Sequence, residues 1–247
     1  MIVTSMRLAT LLLFLVAGAA GTTARAAAPE AVPEPAAAPR FDVVLLGGTV
    51  HDGRGGPGVR TDVAIAGDRI AALGDFGPED GELALDVTAL AVAPGFVNML
   101  SHAGVALLHD GRSASDVRQG VTLEVFGESS FGPLNETMKA QMEARQGDIR
   151  FDVPWTTLGE FLDHLAGRGI ATNVASFVSA TTLRIHEIGY EDRAPTDTEL
   201  ARMQALARAA MREGALGITS SLIYAPAFYA STEELIALNE AVAPFGG

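Results

Sequence analysis

The sequence predicts an α/β protein, in which a small unit of short strands precedes parallel strands covered by helices. Three observations carry that expectation. Apolar runs of strand length recur at 92–100, 121–126, 171–178 and 215–222, as expected of strands buried on both faces. Segments between and after them repeat apolar residues with the helical period. Residues 41–87 instead show short runs divided by Gly- and Asp-containing turns, the pattern of paired strands.

Taken in order, residues 1–26 read MIVTSMRLATLLLFLVAGAAGTTARA. Arg7 precedes an apolar run from Leu8 to about Ala20, and a small-residue site follows at Ala24-Arg25-Ala26. This is the pattern of a cleaved secretory signal, and predicts a periplasmic or extracellular protein. A lasting membrane span would need ~20 apolar residues and a stop-transfer flank, so none is expected. Residues 27–40 form a Pro/Ala-rich linker of the kind that stays extended.

The 247 residues are 48% hydrophobic with a formal net charge of −13. That composition supports a globular core, and that charge argues against nucleic acid as a partner. Cysteine is absent, which excludes disulfides, thiolate nucleophiles, thiolate zinc ligands and a lipid-bearing cysteine.

The β unit occupies 41–90, with strands expected at 43–46, 62–66 and 69–73 and a tight turn at Gly67-Asp68. From 91 onward helices are expected between and after the strands. Leu158, Phe161, Leu162 and Leu165 stripe one face behind a Thr157/Glu160 capping box. Thr196 and Glu199 open a second helix with Leu200, Met203, Leu206 and Ala210 inward. Ser231 and Glu234 open a third, striped by Leu235, Leu238 and Val242. A closed eight-stranded β/α barrel takes about 250 residues. Residues 91–247 offer four strands, so the expectation is a TIM-type barrel truncated after about four strands, with a smaller open α/β sheet as the alternative.

Several stretches together resemble the N-acyl-D-amino-acid deacylases (D-aminoacylases) of the metal-dependent amidohydrolase superfamily. They are LLGGTVHDGRGGPGVRTDVAIAGDRIAALG, VAPGFVNMLSH, RQGVTLEVFGE and the run from APTDTELARMQ through GALGITSSLIYAPAFYASTEELIALNEAVAPFGG. The resemblance implies a small N-terminal β-sandwich arm on 41–90 and a β/α barrel from 91. It also implies zinc as cofactor and hydrolysis of an N-acyl amino acid's amide bond. In such chemistry the metal lowers the pKa of bound water and polarises the carbonyl, while a carboxylate passes a proton to the leaving amine.

The resemblance also implies where ligands belong, and this chain departs from the pattern. Leu100 holds the place of the first of two histidines on strand one, and His102 that of the second. Ser129, in Gly127-Glu128-Ser129, stands nearest the family's cysteine ligand. Leucine cannot ligate a metal and serine is a poor substitute for thiolate; Glu128 can ligate through its carboxylate. His102 and Glu128 therefore make two metal donors where zinc needs three or four, so zinc binding by this chain is doubtful and hydrolysis is not expected. Tyr224, after strand four, is implied to line the acyl pocket.

Arg184, after strand three, is placed either to meet a substrate carboxylate or to pair with Glu187 or Asp192. His51 is expected in solvent, His109 and His186 in loops, and His164 exposed on its helix. Two other readings stay open: a non-catalytic small-molecule binding protein on this fold, and another amidohydrolase such as a dipeptidase or cyclic-imide hydrolase.

Overall fold

The structure, a computed structural model, describes residues 40–247; the expected signal and nearly all of the linker lie outside the described residues. The first part of the chain forms β1 (Phe41–Leu46), β2 (Thr49–Val50), β3 (Val59–Arg60), β4 (Asp62–Ala66), β5 (Arg69–Gly74), β6 (Gly81–Asp86) and β7 (Ala91–Val92). One sheet has the order β5-β4-β1-β6 and a second the order β3-β2-β7. β1 runs antiparallel to β4 and parallel to β6. The β4–β5 hairpin turns on Gly67-Asp68, between the paired Ala66 and Arg69. Gly67 has φ +58°, a left-handed value that glycine adopts without penalty. Asp62 stitches the unit, accepting from the Gly47 N–H at 2.6 Å and the Phe76 N–H at 3.0 Å. Val44, Val63 and Ala64 fill its interior.

Parallel strands follow: β8 (Phe96–Asn98), β9 (Val121–Phe126), β10 (Asn173–Ser176), β11 (Val178–Ser179) and β12 (Ile218–Thr219). β9 pairs in parallel with β8 and β10, and β11 with β12. The run 173–179 is one strand interrupted at Phe177, whose N–H donates to Phe126 O at 2.9 Å. On its other side Ser176 O accepts from the Leu216 N–H at 2.9 Å. The strands thus lie side by side in chain order, the arrangement that βαβ crossovers produce. Among the described residues this sheet does not close into a barrel.

Two of the four expected strands are shorter than the apolar runs suggested. The run 92–100 is divided: β7 joins the second sheet of the first unit through β2, and only β8 joins the parallel strands. Pro94, which has no N–H to give, lies at the division. The neighbouring Gly95 packs so close to Thr122 that a Cβ there would collide with it. The run 215–222 contributes only β12, leaving Leu216 and Leu222 exposed.

The helices are α1 (Gly104–His109), α2 (Ala114–Val117), α3 (Glu136–Ala144), α4 (Leu158–Arg168), α5 (Ala180–Ile188), α6 (Asp197–Arg212) and α7 (Thr232–Val242). Reciprocal capping boxes open α4 (Thr157 with Glu160) and α6 (Thr196 with Glu199). At α7 only half of the box forms: Ser231 Oγ accepts from the Glu234 N–H at 3.1 Å, while the Glu234 carboxylate turns inward. His186, read from sequence as a loop residue, lies in the helix α5, which Ser179 caps.

Leu158, Phe161, Leu165, Leu183, Met203, Leu238 and Val242 are buried together between helices and sheet. The aromatic part of this core is anchored as well as packed. Phe131 stacks on Phe161 at 4.3 Å between centroids, and Trp155 leans on Phe161 at 5.2 Å. The Trp155 indole N–H donates to Phe131 O at 2.8 Å, which satisfies the polar handle of a buried ring.

Candidate functional site

The ends of three parallel strands deliver their side chains to one point. His102 follows β8, Glu128 lies two residues beyond β9 and Ser221 two beyond β12. Such strand ends are where loops of an α/β sheet converge. His102 Nε2 stands 3.5 Å from Glu128 Oε2, and the Ser221 hydroxyl donates to Glu128 Oε1 at 2.7 Å. The Glu128 segment is pinned from both sides. Ser179 Oγ donates to Glu128 O at 3.0 Å, and the Thr219 hydroxyl donates to Gly127 O. The His102 side chain is 70% exposed and that of Glu128 34%. This is an accessible carboxylate, oriented by a hydroxyl and faced by an imidazole. It can accept a proton, hold a donor or bind a cation.

Sequence reasoning placed His102 and Glu128 as neighbouring metal donors, and the fold does bring them together. Among the described residues, however, no group of three or more His, Cys, Asp or Glu is gathered as a metal site. A zinc ion takes three protein ligands plus water, or four. The described residues therefore do not fit a complete zinc centre. Leu100 is 59% exposed beside this corner and offers no donor. Ser129 lines a neighbouring cleft with Ser130 and Phe131.

Arg184 belongs to the interior. Its side chain is 1% exposed, and its guanidinium donates to Glu234 Oε2 at 2.6 Å and to the carbonyls of Glu191 and Arg193. The ion-pair partner is thus Glu234 of α7 rather than Glu187 or Asp192, and the guanidinium turns toward α7 rather than toward a cleft. Tyr224 lies in the turn that begins at Ser221, its N–H donating to Ser221 O at 3.3 Å, and its side chain is exposed.

The other histidines have ordinary surroundings. His51 is exposed, as expected. His109 is exposed but closes α1 instead of lying in a loop, and the adjacent Asp110 engages Arg112. The hydrogen-bonding Arg112 guanidinium and backbone N–H hold the Asp110 carboxyl down at about 2. His164 is half-buried, its ring 5.2 Å from that of Trp155, where full exposure was expected. His186 sits in α5 with Nδ1 2.9 Å from Glu187 Oε1.

Two polar side chains escaped the sequence reading, the donor Ser221 and the acceptor Glu124. Ser221 sits in the quoted TSSLIYAP stretch, and its offset of two from a strand end was the available signal. Glu124, within β9, is completely buried and accepts from Asn98 Nδ2 at 3.2 Å; its Oε1 has no partner among the described residues. A carboxylate inside an apolar run was the signal there, masked by reading 121–126 as uniformly apolar.

Comparison with known proteins first gives the class. The chain superimposes with a TM-score of 0.73 on a crystal structure of D-aminoacylase, described as defining a novel subset of amidohydrolases. Identity there is 36%, covering 84% of this chain and 44% of the other. The chain thus resembles part of an amidohydrolase fold. The particular relatives are the D-aminoacylases: this chain is 37% identical over 212 residues to the D-aminoacylase of Alcaligenes xylosoxydans xylosoxydans. That match covers 84% of this chain and 43% of the relative, so the chain spans under half the length of this curated relative. A solved N-acyl-D-glutamate deacylase from Bordetella bronchiseptica, complexed with zinc and a phosphonate inhibitor, matches at 27% identity and a TM-score of 0.73. It is covered over 43% of its length and covers 83% of this chain. No protein-family model matches the chain.

Proposed function

We propose that this chain contributes to the active-site framework of an N-acyl-D-amino-acid deacylase. The carrying observation is the convergence of His102, Glu128 and Ser221 from three parallel strand ends, in a chain 37% identical to a D-aminoacylase over 84% of its length. In this reading the two sheets of 41–92 correspond to the family's sandwich arm, and β8–β12 to four strands of its barrel. Glu128, held by Ser221, is the group that takes and returns a proton at the amide. His102 orients it, and Tyr224 borders the acyl group. Residues 1–26 support export, and a mature protein beginning near Ala27 outside the cytoplasm is the expected finding.

Titration of the 247-residue chain with an N-acyl-D-amino acid and its L enantiomer tests the framework. Binding that prefers the D form and weakens in Glu128→Gln and Tyr224→Ala is expected. Equal binding of the enantiomers, or variants that change nothing, would overturn it. The two-donor metal corner favours a second reading, in which this chain binds such ligands without turnover. Metal analysis with an amide-release assay separates the two: stoichiometric zinc with chelator-sensitive turnover would sink the non-catalytic reading.

A further inference from the structure

We propose that the cleft between α3 and α5 binds a short aliphatic or aromatic monocarboxylate, with its tail against Met138, Met142 and Phe131 and its carboxylate on Arg145. The cleft holds a cavity of about 200 Å³. That is smaller than the ~300–1,000 Å³ of sites for drug-sized ligands, and suits a short acyl chain or a single ring. A second cavity of about 550 Å³ continues past Met142 and Arg145, which line both. The two methionines are suited to this work, since an unbranched thioether adapts to tails of different shape.

The back of the cleft is built by long-range hydrogen bonds. Ser130 N–H donates to Thr182 Oγ1 at 3.2 Å, Thr182 Oγ1 returns a bond to Ser130 O at 3.3 Å, and the Ser179 N–H donates to Ser130 Oγ at 3.2 Å. Its two walls are tied at one end. Asn135 caps α3 by accepting from the Met138 N–H at 2.9 Å, and its Nδ2 donates to His186 O of α5 at 3.0 Å. The cavity is therefore preformed rather than a gap between independent helices, which lowers the entropic cost of binding.

Charge identifies the head group. Arg145 sits at the α3 C-terminus on the rim, donating to Tyr190 OH at 3.4 Å with its guanidinium 5.9 Å from that ring. Among the described residues it makes no ion pair, and it is the one charged side chain among the residues that line the cleft. Asp148, on the wall of the second cavity, stays outside ion-pair distance of it. A guanidinium at the rim of an otherwise uncharged, largely apolar cleft offers its fork to an incoming carboxylate.

Calorimetric titration with hexanoate and phenylacetate, against hexanol and hexylamine of similar bulk, tests the site. Running every arm in the Glu128→Gln background as well takes the His102–Glu128 corner out of the readout, so failure here is distinguishable from failure of the deacylase reading. Saturable one-site binding of hexanoate is expected, with Arg145→Gln weakening it at least tenfold, hexylamine not bound, and Met138→Trp abolishing binding by filling the cleft. Arg145 is exposed, so Arg145→Gln decides the matter even if Met138→Trp does not fold. Hexanoate that fails to saturate, hexanol that binds as well as hexanoate, or unchanged affinity in Arg145→Gln would each overturn the assignment.

Discussion

Replacing Arg184 with methionine removes the cation of an ion pair whose side chains are 1% and 2% exposed. Water cannot take the place of the lost partner at such burial. Two costs then add. The Glu234 carboxylate is left charged in the interior, and breaking a buried pair from one side costs about 3–5 kcal/mol. The Glu191 and Arg193 carbonyls also lose their guanidinium donor, at about 1 kcal/mol for each hydrogen bond. Against a domain stability of about 5–15 kcal/mol, Arg184→Met should leave the chain marginal or unfolded at room temperature. Adding Glu234→Gln removes the stranded charge, and about 1–3 kcal/mol should return. The α7 cap does not confuse the comparison, because Ser231 accepts from the Glu234 backbone N–H and not from its side chain. Urea unfolding followed by far-UV circular dichroism reads all three proteins. A loss below ~1 kcal/mol in Arg184→Met, or a double variant no more stable than the single one, would refute the reasoning.

Three further outcomes follow from the same geometry. Phe161→Ala removes a fully buried ring that Phe131, Phe126 and Trp155 surround; a loss of about 3–5 kcal/mol is expected in the same urea assay. Glu199 is held below the usual carboxylate range, first by Arg193 and then by the Thr196 N–H and hydroxyl. Its stabilising contribution is therefore present above the unfolded-state pKa and lost as pH falls toward the folded one, so Glu199→Gln should flatten the decline of melting temperature on acidification. Ser221→Ala should leave the melting temperature nearly unchanged, since water can reach the one-third-exposed Glu128 carboxylate, yet weaken binding of an N-acyl-D-amino acid by loosening that carboxylate.

The elements that sequence reasoning placed correctly are those whose signal is local. β4 and β9 match their expected limits, 62–66 and 121–126, residue for residue. The capping boxes of α4 and α6 form as the Thr-x-x-Glu spacing requires. What failed to show was set by partners distant in the chain. The run 92–100 reads as one strand because apolar content does not say which sheet a residue joins. Val50 claims Val92 and Val121 claims Phe96, and neither partner is near in sequence. His186 was read as a loop residue because the buried face of its helix, α5, carries Thr182 and Arg184. A buried arginine looks like a polar surface position until Glu234, fifty residues on, supplies its counter-charge.

The candidate site shows the same division between local and distant information. His102 and Glu128 were legible as a pair through the family resemblance, which puts both at metal positions after strands, and the structure sets those strands side by side. Side-chain alternation along a strand also groups Asn98, Leu100 and His102, but that grouping holds only while the backbone stays extended. β8 ends at Asn98, the Leu100 N–H turns back to Asn98 Oδ1 at 3.3 Å, and the Ser101 N–H donates to Val125 O at 2.9 Å. Beyond Asn98 the periodic argument therefore lapses, and contacts decide each side chain's role. They send Asn98 to the buried Glu124 and His102 to the accessible Glu128. Two carboxylates of one strand and its exit loop thus serve different ends: Glu124 lies wholly inside the fold, while Glu128 faces an imidazole and a hydroxyl at its rim. Only the second stands where a substrate can reach it, which is why the proposed chemistry rests on Glu128.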